Sequence, residues 1–410
     1  MAALPNVAII GSGLSGLSLA LALHQQSIPF TLYERHSSPL NIGGAVMLSP
    51  NALQVLDALG VYDRVRVKGY NFETLEYRDE NGALMETYEF GGKKKFGYQG
   101  LRIYRAVLIE ELLAVLGEKG VRVVFGKKFV RVLEESEREV TWEWEDGSVQ
   151  SAGILVGADG IRSTVRKYLY PDLEPTFTGM AGITAAVPTE QLRLPLGYHI
   201  PVTIMTPTGS FVIAPQEVDG SEVLIGKQKR IVENYDRAGW DRISADKEAL
   251  VKFLQQDSEH FPEFVQNAVS NIPHSKINVW PFYVVPKLEK WTSEKRRVII
   301  LGDAAHAIPP SAGQGINQAF EDVYIFALLL GQVDKVDTED ALKFWQEYRE
   351  QRVAKILVLN NQIELRRMTK EERDKMPPGS LQEIELGWLY KPSFKDDVDR
   401  WVVARTGKDE

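Results

Sequence analysis

The first glycine cluster of the chain has the spacing of a phosphate-binding turn. Val7-Ala8-Ile9-Ile10 is a short apolar run typical of a buried strand, and it leads directly into Gly11-Ser12-Gly13-Leu14-Ser15-Gly16. Gly11 would permit a tight turn, Gly13 would let backbone amides approach a pyrophosphate, and Gly16 would let a helix pack closely on the sheet. The pattern predicts a dinucleotide-binding site, with a purely structural glycine turn as the alternative.

An acidic residue follows the second strand of the same unit. A helical segment follows the glycines, and Phe30-Thr31-Leu32-Tyr33 then forms a predicted strand that leads into Glu34. A carboxylate at this place can accept hydrogen bonds from ribose hydroxyls, and it would repel the extra phosphate of NADP. The βαβ unit therefore predicts FAD or NAD at this site without separating the two. We include the adjacent Arg35 among the candidate cofactor-binding residues.

Two later motifs carry a resemblance to a known family. The first is Gly157-Ala158-Asp159-Gly160-Ile161-Arg162-Ser163-Thr164-Val165-Arg166. The second begins at Gly302-Asp303-Ala304-Ala305-His306 and continues through Pro309-Pro310-Ser311-Ala312-Gly313-Gln314-Gly315-Ile316-Asn317. With the first glycine turn, they resemble the aromatic-hydroxylase group of FAD-dependent monooxygenases along the whole chain. The chain is similar to salicylate hydroxylases, tetracycline-inactivating monooxygenases and fungal secondary-metabolite monooxygenases and epoxidases of that group.

The resemblance implies roles for individual residues. In that group, the first glycine loop and the residue matching Glu34 hold the ADP half of FAD. The arginine matching Arg105 reaches the pyrophosphate, and the aspartate matching Asp303 bonds the ribityl chain. The residues matching Gly313 to Ile316 form the loop and helix start beside the isoalloxazine ring. Gly43-Gly44-Ala45 resembles the loop that lets this ring move, with a plain turn as the alternative.

The candidate cofactor-binding residues come from these motifs. The full set is Gly11, Ser12, Gly13, Leu14, Ser15, Gly16, Glu34, Arg35, Gly44, Ala45, Arg105, Asp159, Gly302, Asp303, Gly313, Gly315 and Ile316.

Two side chains in the later motifs have competing interpretations. Asp159 matches a family position associated with FAD and the nicotinamide donor, and an aspartate before glycine is also a routine turn and capping residue. His306 is more simply a structural hydrogen-bonding residue beneath the cofactor loop than a catalytic base. We assign no protein residue as the catalytic group, because the flavin carries the chemistry in this family.

The substrate side lacks an arginine that related hydroxylases carry. They commonly place it on the strand entering the substrate sheet, where the segment Gly179–Pro188 offers Thr184 instead. The sequence therefore favours a larger, less charged polyketide, alkaloid or terpenoid over a phenolate or carboxylate held by that arginine. The candidate pocket residues are Thr184, Phe211, Gln228 and Pro310, with ordinary packing as the alternative for each.

The resemblance implies a single-component monooxygenase. NAD(P)H would bind transiently and reduce a noncovalently held FAD, and dioxygen would add at the flavin C4a carbon. The resulting hydroperoxide would transfer one oxygen atom to an aromatic or unsaturated organic substrate, by hydroxylation or epoxidation. The alternatives are a flavin-dependent reductase on the same scaffold and a non-enzymatic binding or escort protein with the same fold. A halogenase is disfavoured, because Trp142-Glu143-Trp144 continues into Glu145-Asp146 and not into the halogenase signature.

Composition narrows the cofactor and partner classes. The chain has 410 residues, of which 44% are hydrophobic and 25% charged, as in an ordinary folded protein. It has no cysteine, which excludes thiolate metal sites, iron–sulfur clusters, disulfides and a cysteinyl-flavin link; we expect no metal. With 48 basic and 56 acidic residues the net charge is −8, and no long basic run occurs, so no nucleic-acid partner is expected.

The remaining partner expectations follow from hydrophobic patterning. The N-terminus lacks the charged region of a signal peptide, and no window approaches about 18 uninterrupted apolar residues. We therefore expect a cytoplasmic protein without an integral membrane segment. Its partners would be a small organic substrate and dioxygen, and it would be a monomer or a homodimer.

The order of elements predicts how these residues are positioned. Buried-strand patterns lead into the FAD motifs at Gly11, Gly157 and Gly302, and β-rich segments lie between the second and the third of these motifs. This order predicts an α/β fold in which a Rossmann-like FAD-binding domain is interleaved with a mixed or antiparallel-sheet substrate domain and followed by C-terminal helices. The boundaries are 1–75, 100–175 and 285–335 for the FAD-binding domain, 76–99 and 176–284 for the substrate domain, and 336–410 for the C-terminal helical region.

Overall fold

The computed structural model describes residues 6–39, 44–207, 209–368 and 370–407. Gly43 of the predicted flavin loop lies outside these ranges. The strands in chain order are β1 (Val7–Ile10), β2 (Phe30–Tyr33), β3 (Ala45–Leu48), β4 (Tyr70–Phe72), β5 (Thr74–Arg78), β6 (Leu84–Glu89), β7 (Gly100–Tyr104), β8 (Val123–Val124), β9 (Phe129–Glu135), β10 (Val140–Trp144), β11 (Val149–Ala152), β12 (Ile154–Gly157), β13 (Thr176–Pro188), β14 (Val202–Thr206), β15 (Gly209–Pro215), β16 (Glu222–Arg230), β17 (Ile277–Val284) and β18 (Val298–Ile300).

Helices surround and connect these strands. They are α1 (Leu14–Gln25), α2 (Pro50–Ala58), α3 (Tyr62–Val65), α4 (Lys93–Phe96), α5 (Arg105–Glu118), α6 (Arg166–Leu169), α7 (Thr189–Leu192), α8 (Arg237–Ala245), α9 (Lys247–Gln255), α10 (Glu263–Ser270), α11 (Asp303–His306), α12 (Gly315–Leu330), α13 (Thr338–Arg367), α14 (Lys370–Asp374), α15 (Gly387–Tyr390) and α16 (Phe394–Thr406). Short 3₁₀ turns occur at Ser258–His260, His274–Lys276 and Pro310–Ala312.

A five-stranded parallel sheet forms the first layer, in the order β18-β12-β1-β2-β8. Strand β1 lies between β12 and β2, with Ile10 opposite Gly157 on one side and Tyr33 on the other. Its four residues are all buried, as expected for a strand covered on both faces. Because all neighbours run in parallel, their carboxyl ends meet at one edge of the sheet.

A seven-stranded mixed sheet forms the second layer, in the order β17-β13-β16-β15-β14-β5-β6. Its pairings are antiparallel except that of β14 with β5. On one face, Ile183 and Ile213 pack in a buried cluster with Leu254 of α9 and Val265 of α10. The two sheets confirm the predicted α/β fold with a Rossmann-like sheet and a mixed sheet, while the domain boundaries stay predictions.

The other face of the mixed sheet meets the loops that lead to the parallel sheet. Met205 of β14 packs in one buried cluster with Phe72, Phe90 and Ala312, and Ala312 ends the 3₁₀ turn just before Gly313. This face is therefore the one that lies against the predicted flavin loop.

A small three-stranded sheet, β3-β7-β4, lies between the two layers. Ala45 pairs with Tyr104, and Arg102 has Met47 opposite on one side and Tyr70 on the other. Leu101 of the same strand points into the core beneath the parallel sheet. Since side chains alternate along a strand, Arg102 lies on the opposite face, toward the mixed sheet.

The C-terminal helices pack on the layer that holds the predicted cofactor motifs. Helix α13 runs for 30 residues, and Asp337 caps it by accepting a hydrogen bond from the Glu339 amide at 2.8 Å. Trp345 is fully buried and donates its indole hydrogen to the carbonyl of Asp322 in α12 at 3.1 Å. Within the described ranges, no helix is long and apolar enough to cross a membrane.

Candidate active site

Four strand ends bring the sequence motifs to one edge of the parallel sheet. Strand β1 leads into Gly11–Gly16, and β2 leads into Glu34. Strand β12 leads into the loop with Asp159, and β18 leads into Gly302 and Asp303. The carboxyl edge of such a sheet is where α/β proteins bind ligands.

The glycines of the first turn serve two different purposes. Gly11 has φ +104°, and a Cβ built on it would lie 2.7 Å from the Ala158 carbonyl oxygen. A Cβ on Gly16 would lie 1.9 Å from the Gly11 carbonyl oxygen, so α1 can approach β1 only with glycine there. A Cβ on Gly13 would have no neighbour within 4 Å. Gly11 and Gly16 are required by the turn, whereas Gly13 leaves open space in front of α1.

The N-terminus of α1 is free to bind an anion. No side chain of the described residues caps it at Gly13, and its first turn has no acidic residue. Leu14 anchors the turn in the core, and Ser15 lies against the next motif, because a Cβ on Gly302 would lie 3.0 Å from Ser15 Oγ. Unpaired amides and the positive end of the helix dipole favour a phosphate here. This open cradle fits the pyrophosphate of FAD.

Glu34 is held in place by the glycine turn itself. Its Oε2 accepts hydrogen bonds from the amide of Ser12 at 2.9 Å and from Ser12 Oγ at 3.0 Å, and its Oε1 accepts from the His36 amide at 3.0 Å. The carboxylate is therefore directed at the turn that would hold the dinucleotide. Arg35 is exposed, and its Nε donates to His36 Nε2 at 3.1 Å.

Asp303 and Arg105 lie within electrostatic range of each other. Burial raises the pKa of Asp303, and the positive charges of His306 and Arg105 act in the opposite direction. A Cβ on Gly315 would lie 3.9 Å from Asp303 Oδ1. Arg105 begins α5, and its amide donates to the carbonyl of Gly44 at 3.2 Å. The fold thus brings three separate motifs of the sequence to one place.

The first turn of α12 is tied to β3 through Asn317. Its Nδ2 donates to the carbonyls of Gly313 at 2.7 Å and Met47 at 3.0 Å. Its Oδ1 accepts from the amide of Ser49 at 2.9 Å. No side chain caps this helix, and its first turn has no acidic residue. The segment from Gly313 to Ile316 therefore favours negative charge on a group bound beside it.

Asp159 and His306 both make structural contacts. Asp159 Oδ2 accepts hydrogen bonds from the amides of Thr164 at 2.7 Å and Val165 at 3.2 Å, which closes the turn after β12. His306 is 7% exposed, and its Nε2 lies 2.6 Å from Asp322 Oδ2. The turn-capping interpretation of Asp159 and the structural interpretation of His306 agree with these contacts, while a ligand role for Asp159 stays a prediction.

The four candidate pocket residues lie in different surroundings. Thr184 and Pro310 are half-buried, and Gln228 is exposed near the end of β16. Phe211 is fully buried on the helix-covered face of the mixed sheet, with its ring 5.7 Å from that of Phe261. Packing accounts for Phe211, and we leave it out of the proposed pocket.

Sequence reasoning did not single out Met47, Arg102 or Gln216. All three lie in or beside the small sheet and the mixed sheet, and Arg102 and Gln216 are buried. The sequence carries one signal for them: Leu101-Arg102-Ile103 places an arginine inside an apolar strand. An arginine in that pattern predicts a buried polar contact, although not its partner.

Comparison with known proteins identifies the family. Residues 5–359 match the family model described as FAD binding domain. The chain belongs to this family. It is 30% identical over 362 residues to the 3-amino-4-hydroxybenzoate 2-monooxygenase PtmB3 of Streptomyces platensis, covering 86% of each chain. It is 27% identical to hispidin-3-hydroxylase of Neonothopanus nambi, covering 79% of this chain and 80% of that protein.

The fold is shared with solved structures. The crystal structure of Klebsiella pneumoniae HpxO complexed with FAD and uric acid superposes with a TM-score of 0.76 at 20% identity, covering 98% of this chain and 96% of that one. Together with the family match, these relatives confirm the predicted family of FAD-dependent monooxygenases and FAD as its cofactor.

Proposed function

We propose that the chain is a single-component monooxygenase that uses NAD(P)H and dioxygen to place one oxygen atom on an aromatic or unsaturated organic substrate. For a hydroxylation, the balance is substrate C–H, O₂, NAD(P)H and H⁺ giving C–OH, H₂O and NAD(P)⁺. The observation that carries the proposal is the convergence of the glycine turn, Glu34, Arg105 and Asp303 beside the uncapped start of α12. The names of the relatives support this: one is a 3-amino-4-hydroxybenzoate 2-monooxygenase, whose named substrate is a hydroxylated aromatic acid, and the other is named a hydroxylase.

The residues at the carboxyl edge of the parallel sheet would each bind a different part of FAD. The amides after Gly13 would hold the pyrophosphate together with Arg105, whose permanent charge suits two phosphates. Glu34 and Asp303 would accept hydrogen bonds from the ribose and ribityl hydroxyls. When bound, FAD supplies the redox chemistry with NAD(P)H and dioxygen.

The chain itself would position the substrate and exclude water. The start of α12 would stabilise negative charge on the bound cofactor, since a helix N-terminus is partly positive. The face of the mixed sheet that carries Thr184 and Met205, with Pro310, would cover the substrate. Gln228 would contact only a substrate that extends to the exposed end of β16.

The proposed function is tested by recording the flavin absorbance spectrum of the purified protein. We expect yellow protein, and NAD(P)H and oxygen consumption that rise with the substrate and match the product formed. Product formation without oxygen would support the flavin-dependent reductase instead. Protein that folds but takes up no FAD would support the non-enzymatic alternative.

The variant Arg105→Met tests the proposed phosphate contact. Loss of a charge-assisted bond is expected to weaken FAD binding by about 2 kcal/mol, roughly thirtyfold in Kd. FAD is titrated into the apoprotein and the quenching of its fluorescence is measured. Arg131→Met is the matched control, because Arg131 lies in β9, outside the cofactor motifs, and pairs with Glu143 on the surface. An unchanged Kd for Arg105→Met would contradict the assignment.

A further inference from the structure

Arg102 is a buried cation that has no anionic partner among the described residues. Its side chain is 6% exposed, and both Nε and Nη2 donate to the amide oxygen of Gln216, at 3.1 and 2.7 Å. Among the described residues, Tyr104 is the ionisable neighbour that affects its pKa. Burial lowers the pKa of Arg102 to about 10, so the guanidinium is still positively charged at neutral pH.

Two other buried arginines of the described ranges have carboxylates nearby. Arg349 pairs with Glu321 and Asp322. Arg166 donates to two backbone carbonyls, and although its Nε has no partner among the described residues, the carboxylates of Asp159 and Glu174 counteract the effect of burial on its pKa. Burying a charge with only a neutral amide for a partner is unfavourable, because the lost hydration is not replaced. Arg102 therefore has a charge that the rest of the described chain does not use.

The register of the small sheet shows where that charge points. Met47 and Tyr70 are the cross-strand neighbours of Arg102 and share its face. Both pack against the cluster that contains Met205 of the mixed sheet and Ala312 of the predicted flavin loop. Arg102 thus lies between the two sheets, on the side where the substrate is proposed to bind.

Two donors remain free at this place. Arg102 Nη1 and Gln216 Nε2 have no hydrogen-bond acceptor among the described residues. Neither atom is among the buried side-chain atoms that lack a partner, so each retains some solvent-accessible surface. The Nη1 side of a guanidinium can donate to a carboxylate oxygen or to a phenolate oxygen.

We propose that Arg102, oriented by Gln216, binds an anionic group of the substrate, and that the substrate is an aromatic or unsaturated molecule bearing a carboxylate or phenolate. This inference rests on the proposed monooxygenase function. It replaces the sequence-based expectation of a less charged substrate: the strand of Thr184 lacks the arginine, and β7 of a different sheet supplies one.

The experiment compares acids with their own amides. Benzoate, 4-hydroxybenzoate and cinnamate, each paired with its amide, are titrated calorimetrically into the FAD-loaded protein at constant ionic strength. We expect at least one acid to bind wild-type protein at least tenfold more tightly than its amide, about 1.4 kcal/mol. In Arg102→Met this preference is expected to disappear at unchanged FAD content, while the Arg131→Met control keeps it.

Two outcomes overturn the proposal. One is that no acid binds better than its amide to wild-type protein, and the other is that the preference survives in Arg102→Met. Arg102→Gln serves as a second variant if the first does not fold. Absence of FAD from wild-type protein would count against the monooxygenase function, whereas FAD-loaded protein without acid preference would count against Arg102 alone.

A stability measurement separates binding from a structural role. Because the ligand-free protein holds an uncompensated charge, Arg102→Met is expected to have an unchanged or higher melting temperature. If the melting temperature of Arg102→Met fell as far as that of a variant lacking Arg349, Arg102 would be a structural residue and the proposal would be overturned.

Discussion

Gly16→Ala is expected to destabilise the protein and abolish FAD retention, whereas Gly13→Ala is expected to weaken FAD binding and leave the fold intact. A methyl group on Gly16 would meet the Gly11 carbonyl oxygen at 1.9 Å, so α1 or β1 must move, at about 3 kcal/mol. Gly13 has φ −70° and ψ −175°, which alanine adopts freely, and its methyl group would enter empty space. That space is where the pyrophosphate is proposed to lie.

The two variants are measured side by side. Thermal unfolding of the apoproteins should show a clearly lower free energy of unfolding for Gly16→Ala. For Gly13→Ala the free energy of unfolding should fall by about 1 kcal/mol or less. FAD titration should show at least about a tenfold higher Kd for Gly13→Ala, or 1.4 kcal/mol. If Gly13→Ala binds FAD as wild type does, the phosphate does not approach this residue. If Gly16→Ala unfolds as wild type does, the close approach of α1 is not required.

Arg349→Met is expected to lower the free energy of unfolding by about 3–5 kcal/mol. Arg349 Nε donates to Asp322 Oδ1 at 2.7 Å, its Nη1 pairs with Glu321, and its Nη2 donates to Gln318 Oε1 at 2.6 Å. Arg349, Glu321 and Asp322 are all fully buried. Removing the cation leaves two buried carboxylates, and their remaining ion-pair partners among the described residues are Arg352 for Glu321 and His306 for Asp322. Arg349→Lys should recover little, since a compact ammonium lacks the planar fork whose separate nitrogens reach Asp322, Glu321 and Gln318.

The measurement is urea or thermal unfolding at a fixed FAD concentration, because a bound ligand shifts apparent stability. Arg131→Met is again the control: its surface pair with Glu143 has a 67% exposed arginine, so less than about 1 kcal/mol is expected. Equal losses in free energy of unfolding for Arg349→Met and Arg131→Met would contradict a stabilising role of the buried contacts of Arg349.

Lowering the pH should reduce the difference in the free energy of unfolding between Arg349→Met and wild type. Burial by itself raises the pKa values of Glu321 and Asp322, but the charges of Arg352, His306 and Arg349 outweigh it and hold both pKa values low. Groups with lowered pKa values stabilise the fold above their unfolded pKa and lose that contribution as the pH falls through the folded one. Protonation at low pH would neutralise both carboxylates. The loss of Arg349 should therefore lower the free energy of unfolding by less than it does at neutral pH.

Local spacing was sufficient to predict the elements around the cofactor motifs. The apolar run, the glycine spacing and Glu34 predicted a βαβ unit, and the structure has β1, α1 and β2 there. The family resemblance also implied a helix start within Gly313 to Ile316, and α12 begins at Gly315.

The orientation of the substrate sheet was not predictable in the same way. Alternation shows that Phe211 and its neighbours point to opposite faces, but each face of the mixed sheet carries buried apolar residues. Which face meets α10 and which meets the flavin loop depends on how the two sheets dock. Phe211 was therefore assigned to the pocket from the sequence, and the structure packs it against Phe261.

The sequence by itself determined the parallel-sheet unit, the family and the residues proposed to bind FAD, because these depend on short spacings that backbone geometry and hydrogen bonding constrain. Only the tertiary structure decided which charges are paired. It gives Arg349 two buried carboxylates from α12 and leaves Arg102 with a neutral amide. Charge partners come from segments far apart in the chain, and packing between sheets and helices, not local spacing, determines whether they meet.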